Sequence, residues 1–455
     1  MSLELRAPTT ATSPLSVVIL AAGKGTRMRS SLPKVMHRMA HRTLIGHVLS
    51  AAAALEASRV VAVLAPEMDS VRDEIATYGL PFDVAIQDPP LGTGHAVACA
   101  LPYLPSEGVV LVLYGDTPLI SAATLEALLS ARAAHGAAVA VLGMNPPDPS
   151  GYGRLAFDDT GLAALVEERH ASEQLKREGL CNSGVMAIDA ACLRPLVDDL
   201  ELRQEKNEYY LTDIVAGARA RDWPCTATEG PWQDGVGVNS KAQLAAAEAI
   251  FQDRRRETLM AAGVQMVAPE TVFLSADTVI EPDAVIEPFV IFNPGCHVER
   301  GALVHSFCHL ERTRIGAGAE IGPFARLRPG ADIGEGSKIG NFVEVKKATV
   351  EAGAKVNHLS YVGDARIGPG ANVGAGTITC NYDGFGKYHT DIGAGAFIGS
   401  NTALVAPVRI GDGAIIGAGS TIAEDIGDDG LAVTRAELRV IEDGAKRFRA
   451  RRKQD

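Results

Sequence analysis

The first residue types that could do chemistry lie in a glycine-rich turn near the amino terminus. An apolar run over residues 16–22 leads into the sequence GKGTRM at residues 23–28. Backbone N–H groups in such a turn can bind an anion, and the dipole of a following helix adds attraction. The glycines alone would also fit a purely structural turn. Two cations beside the turn, Arg27 and Lys34, favour a phosphate site because together they suit a triphosphate.

A carboxylate follows a second apolar run. Asp116 comes two residues after Val109–Tyr114, a run typical of a buried strand. This position suits Mg²⁺, which one or two protein oxygens can hold while phosphate and water complete its ligands. An isolated aspartate there is more often a turn or cap residue. The turn at residues 23–28 lacks the GxxxxGK[ST] and GxGxxG patterns, so the sequence does not favour an ATPase or a dehydrogenase.

A second set of reactive residue types lies in the carboxyl-terminal half. Three polar stretches, residues 326–329, 341–347 and 357–361, follow one another at similar intervals and include His358. A lone histidine on a regular surface is usually only a surface residue. Arginine, lysine, glutamate and tyrosine accompany this one, so cations could hold a phosphate group beside it. Imidazole titrates near pH 6.5 and can accept a proton near neutral pH. The set therefore predicts a catalytic site.

The elements that must position this second set repeat every six residues. An aliphatic residue recurs at that spacing, often with Gly or another small residue after it. This period fits neither a helix nor a meander and is typical of a parallel β-helix, in which three hexads make one coil. We predict that the aliphatic residues fill the interior and that the small residues turn the corners. Because the polar stretches recur at nearly the length of one coil, we expect them to stack on adjacent coils. The runs are Phe273, Val279, Val285, Ile291; Ile315, Ile321, Leu327, Ile333, Ile339, Val345; and Ile392, Ile398, Leu404, Ile410, Ile416, Ile422.

One interruption of the hexads is informative. Between Thr379 and Ile392 the period fails, and the intervening residues are polar and aromatic. A neutral insertion would explain this. A binding loop is favoured, because insertions in solenoids map to one face and often to the site.

The amino-terminal half alternates strand-like and helix-like segments. Strands are predicted at residues 16–22, 60–64, 109–114 and 138–142, and helices at 43–57 and 121–135. Such alternation predicts an α/β, Rossmann-like domain with a largely parallel sheet, whose ligands bind beyond the carboxyl ends of the strands. The predicted domains are a disordered leader (1–15), the α/β domain (16–239), a helical linker (240–263), the β-helix (264–433) and a helical basic tail (434–455).

Composition limits the classes of partner. The net charge of −12 argues against a general nucleic-acid binder, and no segment has the length of a membrane span or signal peptide. The seven cysteines form no CxxC pair, which predicts reduced thiols and a cytoplasmic location. The basic residues of the tail either are a solvated surface or help to bind an anionic ligand; they are Lys446, Arg447, Arg449, Arg451, Arg452 and Lys453.

The amino-terminal motifs resemble those of the sugar-phosphate nucleotidyltransferases. The match begins at residues 20–28 with Pro33-Lys34 and continues through Gln87, LGTGH at 91–95, YGD at 114–116, GYGR at 151–154, Glu167, NSG at 182–184 and GVN at 237–239. Together with the hexads, the pattern over roughly residues 15–440 resembles a bacterial family. This is the family of bifunctional N-acetylglucosamine-1-phosphate uridylyltransferases/glucosamine-1-phosphate N-acetyltransferases.

The resemblance implies an amino-terminal uridylyltransferase. A sugar-phosphate oxygen attacks the α-phosphorus of UTP and pyrophosphate leaves, which requires positioning and charge neutralisation rather than a covalent nucleophile. The implied ligands of the nucleotide are Leu20, Ala21, Ala22, Gly23, Gln87, Gly92 and Thr93, with Tyr114 and Gly115 beside them. The implied ligands of the phosphates are Arg27 and Lys34, those of Mg²⁺ are Asp116 and Asn239, and those of the sugar are Gly153, Glu167 and Asn182.

The resemblance implies an acetyltransferase in the β-helix. His358 is the general base that takes a proton from the amine of glucosamine 1-phosphate as the amine attacks acetyl-CoA. Glu344 orients or polarises the reacting groups. The implied ligands of the sugar phosphate are Arg328, Lys346, Tyr361 and Asn372, and those of acetyl-CoA are Ala375, Asn381, Tyr382, Ser400, Ala418 and Arg435. The family also implies a left-handed coil and a homotrimer with sites at subunit boundaries. Its product, UDP-N-acetylglucosamine, is a precursor of peptidoglycan and lipopolysaccharide.

Two other functions are consistent with parts of the pattern. A single-function sugar-phosphate nucleotidyltransferase could carry a purely structural β-helix, but it has no need of Arg328, Lys346, His358 and Tyr361 on neighbouring coils. A scaffold or binding module would predict a repetitive face, which the interrupted coils do not provide.

Overall fold

The computed structural model of the chain describes residues 14–23 and 25–452. Residues 1–13 of the predicted leader, Lys24, and residues 453–455 of the predicted tail, Lys453 among them, lie outside the described residues. Leu15 already belongs to the first strand. The chain divides into two compact units between Asp253 and Arg254, a point inside one long helix.

A largely parallel sheet organises the amino-terminal unit. Its path runs β13-β7-β10-β6-β1-β4-β5, and β8 pairs with β10 and with β9. Only the pairs that involve β10 or join β8 to β9 are antiparallel in this sheet. The strands of this unit are β1 (Leu15–Leu20), β2 (Arg38–Met39), β3 (Arg42–Thr43), β4 (Arg59–Leu64), β5 (Phe82–Ile86), β6 (Val109–Tyr114), β7 (Val139–Met144), β8 (Arg154–Asp158), β9 (Gly161–Val166), β10 (Cys181–Asp189), β11 (Leu202–Arg203), β12 (Glu208–Tyr209) and β13 (Cys225–Gly230).

Helices connect and cover these strands. The predicted helices at residues 43–57 and 121–135 are α1 and α4, and the predicted linker helix is α8. β1 is fully buried at Val17, Val18 and Ile19 because hydrophobic clusters cover both faces of the sheet: Val17 and Ile19 pack in one cluster and Val18 in the other. The helices are α1 (Leu44–Ala54), α2 (Asp69–Ala76), α3 (Gly92–Ala100), α4 (Ala122–Ala134), α5 (Glu173–Glu178), α6 (Ala190–Asp198), α7 (Asp213–Arg219), α8 (Lys241–Ala261) and α9 (Gly444–Arg452).

The carboxyl-terminal unit is a parallel β-helix. Each strand pairs in parallel with one on the next coil, as in Glu320 with Lys338 and Lys338 with Lys355. The strands are β14 (Gln265–Met266), β15 (Val279–Ile280), β16 (Val285–Ile286), β17 (Ile291–Phe292), β18 (His297–Val298), β19 (Leu303–Val304), β20 (His309–Leu310), β21 (Thr313–Ile315), β22 (Glu320–Ile321), β23 (Arg326–Leu327), β24 (Ala331–Ile333), β25 (Lys338–Asn341), β26 (Glu344–Val350), β27 (Lys355–His358), β28 (Tyr361–Ile367), β29 (Asn372–Val373), β30 (Ile378–Cys380), β31 (Thr390–Ile392), β32 (Phe397–Ile398), β33 (Ala403–Val405), β34 (Val408–Ile410), β35 (Ile415–Ile416), β36 (Thr421–Ile422) and β37 (Leu431–Ala432).

The interior residues confirm two of the three predicted runs and correct the first. The runs that begin at Ile315 and Ile392 are buried throughout. In the first run Val279 is 48% exposed, whereas its neighbour Ile280 is 5% exposed. The phase changes where Leu310 and Ile315, both interior, are five residues apart instead of six. The interior residues of the first coils are therefore not Phe273, Val279, Val285 and Ile291 but Leu274, Ile280, Ile286 and Phe292.

The glycines that follow the aliphatic residues do not have the predicted role. Among Gly316, Gly322, Gly334, Gly340, Gly399 and Gly411, only Gly322 has a positive φ. A Cβ on Gly340 would lie 1.9 Å from the carbonyl oxygen of Asn357 on the next coil. These residues are small because the next coil passes there, and positive-φ residues such as Gly318 and Gly336 turn the corners.

Two other segments refine the predictions. The interrupted coil is longer than the next one: Ala365 pairs with Thr390, whereas Thr390 pairs with Val408. Its extra residues leave as a loop between β30 and β31. In the described part of the tail, residues 434–452, only α9 is helical, and the preceding exposed residues 433–441 have no regular structure. A short helix without a packed face has little to stabilise it.

A histidine held by two carboxylates gives the β-helix a pH-dependent contribution to stability. His305 Nδ1 lies 3.1 Å from Glu287 Oε1, and its Nε2 lies 3.0 Å from Glu320 Oε1, which also binds Lys338. Partial burial opposes protonation, but the two carboxylates outweigh it and raise the pKa of His305. This contribution is complete below pH 6.5, the ordinary histidine pKa, and is lost as pH rises through the raised value.

We expect His305→Gln to lower the melting temperature of the β-helix at pH 6 and to have less effect at pH 8.5. Because His305 and its two carboxylates are partly exposed, they should stabilise the fold at low pH by about 0.5–1 kcal/mol. This corresponds to a change in melting temperature of about 1–3 °C. Calorimetry of the full chain across this pH range measures it. His297→Gln is the control, because His297 is paired with one carboxylate rather than two. A pH-independent difference would contradict the prediction.

Candidate active sites

A cavity of about 490 Å³ lies at the carboxyl ends of the parallel strands in the amino-terminal unit. Gly23, Gln87 and Asp116 reach it because they follow β1, β5 and β6, whose carboxyl ends meet at one edge of the sheet. The predicted residues that line the cavity are Leu20, Ala21, Ala22, Gly23, Lys34, Gln87, Gly92, Thr93, Tyr114, Asp116, Glu167 and Asn182.

Lys34 joins the glycine-rich turn to the predicted metal ligands. A Cβ on Gly25, whose φ is +61°, would lie 2.5 Å from the Lys34 Cβ, so the turn has no room for another residue type. The Lys34 ammonium forms an ion pair with Asp116 Oδ2 and donates to Asn239 Oδ1 at 3.1 Å. Two oxygens from distant segments thus converge on one cation.

This convergence fits the predicted magnesium ion. Carboxylate and amide oxygens are hard ligands, and Mg²⁺ usually takes one or two carboxylates together with phosphate and water. Asp116 and Asn239 would hold the ion with the two oxygens that the Lys34 ammonium now contacts. Within the described ranges no cluster of three or more His, Cys, Asp or Glu side chains could hold a metal. The nucleotide would therefore have to supply further ligands.

Hydrogen bonds fix several other predicted residues. Gln87 Nε2 donates to the carbonyl oxygen of Gly92 at 2.9 Å, which ties β5 to the start of α3. Thr93 Oγ1 accepts from the Leu211 N–H at 3.1 Å. Burial, with a smaller effect of Asp116, raises the pKa of Tyr114, which therefore stays protonated.

The remaining predicted residues support the cavity or stand near it. The Gly115 N–H donates to Leu20 O at 3.0 Å, and Gly153 O accepts from the Asn182 N–H at 2.9 Å. Arg27 is exposed and has no ion pair with any residue of the described chain. It is therefore a cation available to an anion.

Seven residues that line the cavity were not predicted from the sequence: the apolar Val35, Pro90 and Ala96, and four residues of one segment. Lys206, Glu208, Tyr210 and Thr212 lie on and after the hairpin of β11 and β12. No motif marks this segment. The Tyr209 N–H, which donates to Leu91 O, and the Leu211 N–H, which donates to Thr93 Oγ1, bring it to the nucleotide loop. The only available signal was a lysine close to two adjacent tyrosines, Tyr209 and Tyr210.

One corner of the β-helix gathers the second set. Asn341, His358, Ala375, Ser400 and Ala418, called here the His358 corner, occupy equivalent positions on successive coils. Backbone bonds of 2.7–3.1 Å link each coil to the next at these positions, and the residue after each has a positive φ of 51–76°. The predicted base and three predicted acetyl-CoA ligands thus form one column.

His358 is exposed and makes one side-chain hydrogen bond. Its Nδ1 lies 2.5 Å from Asn341 Oδ1 on the previous coil. Within the described chain Nε2 has no hydrogen-bond partner. The ring is therefore held at one nitrogen and open at the other, as a proton acceptor requires.

A cluster of cations lies on the neighbouring coils. Arg328 donates to Glu344 Oε1 at 2.7 Å, and this bond raises the pKa of Arg328. The nearby Lys387 ammonium and, to a smaller extent, the charge of Arg328 lower the pKa of Lys346. Like charges this close favour an anion between them. Lys387, from the loop between β30 and β31, was not predicted; its only signal was its place in that loop.

The other predicted residues of the second set are spread over adjacent elements. Tyr361 is the register partner of Glu344, while Asn372 lies on β29, three residues before Ala375. Asn381 is buried and donates to Asp364 Oδ2 at 2.5 Å, and Tyr382 is exposed in the loop. Arg435 is exposed and lies 3.5 Å from the position of a Cβ on Gly417, next to Ala418.

Comparison with known proteins finds relatives that match both units of the chain. A family model described as a MobA-like NTP transferase domain matches residues 17–179, and one described as bacterial transferase hexapeptide matches residues 312–347 and 389–424. A relative named Bifunctional protein GlmU, from Paramagnetospirillum magneticum, is 54% identical over 97% of this chain and 98% of its own length. Another of that name, from Xanthobacter autotrophicus, is 52% identical over 96% and 98%.

The chain belongs to the GlmU family. Membership over nearly the whole length confirms the predicted family, the predicted fold class of an α/β nucleotidyltransferase domain followed by a left-handed hexapeptide β-helix, and the predicted bifunctional enzyme. The GlmU name itself records two functions, in agreement with two candidate sites in one chain. No helix within residues 14–23 and 25–452 has the length and apolarity to cross a bilayer.

Proposed function

We propose that the chain makes UDP-N-acetylglucosamine in two steps. Acetyl transfer from acetyl-CoA to glucosamine 1-phosphate takes place at the His358 corner, and uridylyl transfer from UTP to N-acetylglucosamine 1-phosphate takes place in the cavity of the amino-terminal unit. The observation that carries the proposal is the combination of the His358 ring, open at Nε2, with the cluster of Arg328, Lys346 and Lys387 on neighbouring coils of the β-helix. A single-function nucleotidyltransferase has no use for it.

The first site would act by positioning and charge. Arg27 and Lys34 hold the phosphates, the residues of the glycine-rich turn with Gln87, Gly92 and Thr93 hold the nucleotide, and Glu167 and Asn182 hold the sugar. A bound Mg²⁺ would supply charge neutralisation for the departing pyrophosphate. Asp116 and Asn239 would release Lys34 to the phosphates when the ion binds.

The second site would act by general base catalysis. The amine of glucosamine 1-phosphate attacks the thioester carbonyl, the C–N bond forms, the C–S bond breaks, and CoA leaves as a thiolate. His358 Nε2 accepts the proton that the amine loses. Arg328, Lys346 and Lys387 hold the phosphate of the sugar, while Ala375, Ser400 and Ala418 line the path of acetyl-CoA and Arg435 meets a CoA phosphate.

A homotrimer and a cytoplasmic location belong to the same proposal. All seven cysteines are free, as expected of a reducing compartment. The trimer is supported by an aromatic ladder, Phe289, Phe307, Phe324 and Phe342, which continues the His358 corner over the earlier coils. Its rings stack at 4.8–5.1 Å, each residue is about half exposed, and each has a positive φ. An exposed apolar strip of strained bulky residues is typical of an interface, and here it adjoins the acetyltransferase site.

We expect Phe324→Ser to weaken the trimer and to lower acetyl transfer, because the ladder packs against a second copy of the chain. Light scattering after gel filtration should show a mass that falls toward the 47.7 kDa of one chain on dilution. Uridylyl transfer should persist. Phe157→Ser, at a similarly exposed position in the other unit, is the control. A variant that keeps the wild-type mass at every concentration would contradict this role of the ladder.

An omission assay tests the proposed function. Purified protein is supplied with glucosamine 1-phosphate, acetyl-CoA, UTP and Mg²⁺, each withheld in turn, and the products are identified by mass. Without UTP the product should be N-acetylglucosamine 1-phosphate. Without acetyl-CoA no UDP-N-acetylglucosamine should form unless acetylated sugar phosphate is added. Formation of a UDP-sugar only, with no acetylated product under any condition, would support the single-function alternative.

A further inference from the structure

We propose that Asn341 is a positioning residue of the acetyltransferase, which holds His358 in the tautomer that can act as a base. The inference rests on the proposed function of His358 and adds a residue to it. Asn341 is the last residue of β25, and His358 is the last residue of β27. The two are register partners, and the Leu359 N–H donates to Asn341 O at 3.1 Å. The side-chain contact is therefore built into the stacking of the coils.

The glycine before Asn341 makes this stacking close. A Cβ on Gly340 would lie 1.9 Å from Asn357 O, the closest approach of any glycine of the described chain to a neighbouring coil. Phe342 and Leu359, which follow the pair, both have positive φ and turn the corner together. Backbone geometry thus fixes both members of the pair before their side chains meet.

The chemistry of the contact determines where the proton lies. An amide oxygen only accepts, so the nitrogen 2.5 Å from Asn341 Oδ1 must donate. A neutral imidazole carries one proton, and with that proton on Nδ1 the lone pair is on Nε2. Nε2 has no hydrogen-bond partner in the described chain, and the equivalent residue on the next coil, Ala375, has no side-chain donor. This is the tautomer that a base acting through Nε2 requires.

Glu344, the other polar candidate for this role, is engaged elsewhere. Its carboxylate accepts from Arg328 at 2.7 Å and lies 3.8 Å from Arg326. No hydrogen bond joins it to His358 in the described chain. Glu344 therefore contacts the cationic cluster, while Asn341 contacts the base.

Two replacements test the role of Asn341 through the pH profile of acetyl transfer. Asn341→Ala removes the acceptor, so kcat should fall about 10- to 100-fold. KM for glucosamine 1-phosphate should change little, because the cations hold the phosphate. Asn341→Asp keeps an acceptor and adds a negative charge that stabilises the imidazolium form. Its activity should persist, with the acidic limb of kcat moved upward by about one pH unit.

A purely structural role would not move that limb. Asn293→Ala is the matched control, since Asn293 Nδ2 lies 3.0 Å from His309 Nε2 in another contact between coils. It should leave both kcat and the pH profile unchanged. Uridylyl transfer and thermal unfolding of each variant report on folding. If Asn341→Ala keeps wild-type kcat, or the Asn341→Asp profile superimposes on the wild-type profile, the inference is wrong. An active His358→Ala protein would instead overturn the proposed base.

Discussion

Replacement of Asp116 by alanine is expected to abolish uridylyl transfer and to spare acetyl transfer. Asp116 lies at the carboxyl end of β6. Within the described chain it is the one carboxylate that shares the Lys34 ammonium with Asn239. Without it, a magnesium ion would keep a single protein ligand, and the charge on departing pyrophosphate would be poorly neutralised. Loss of an electrostatic contact of this kind typically lowers kcat by about 10²–10³-fold, and loss of the ion adds to this.

The measurement has two parts. Pyrophosphate release from UTP and N-acetylglucosamine 1-phosphate reports the first reaction, and thiol release from acetyl-CoA reports the second. Binding of Mn²⁺ in the presence of UTP, followed by electron paramagnetic resonance, reports the metal site directly and should weaken. Asp83→Ala, which removes a partly exposed carboxylate of β5, is the control. Near-normal UDP-sugar formation by Asp116→Ala would end the metal assignment.

The sequence predicted those elements whose pattern allows one interpretation. Val109–Tyr114 is a strand with the predicted bounds because an unbroken apolar run ends at a glycine. The first hexads were placed out of phase because two neighbouring positions are apolar there, as in Val279 and Ile280, and either could fill the interior. Burial alone decides between them, and the five-residue step before Ile315 is visible only in the structure.

The residues of the candidate sites also divide into those that a sequence pattern identifies and those that it does not. Residues inside motifs, such as Gly23, Asp116 and His358, could be chosen from the sequence because a turn, a strand end or a coil period fixes their place. Lys387 and Tyr210 could not, since the path of a loop or a hairpin decides whether they reach a site. Asn341 lies in the polar stretch of residues 341–347. Its role depends on which side-chain atoms of adjacent coils are in contact, and the period of the coils does not determine those contacts.

Replacement of His358 by alanine is expected to remove acetyl transfer and to leave uridylyl transfer unchanged. A positioned base typically contributes about 10²–10⁴-fold, so the rate with saturating acetyl-CoA and glucosamine 1-phosphate should fall by that factor. KM for the sugar phosphate should change little, because Arg328, Lys346 and Lys387 remain.

His309→Ala separates a catalytic role from a packing role. His309 is also on the β-helix and also contacts an asparagine between coils, but it lies on a coil before the cationic cluster. Its replacement should leave acetyl transfer as in the wild type. If His358→Ala retained full acetyl transfer while the trimer and the first reaction were intact, the base would have to be another group. In that case the open Nε2 would be only a consequence of how the coils stack. The tautomer that the Asn341 amide fixes contributes to catalysis only if Nε2 accepts a proton.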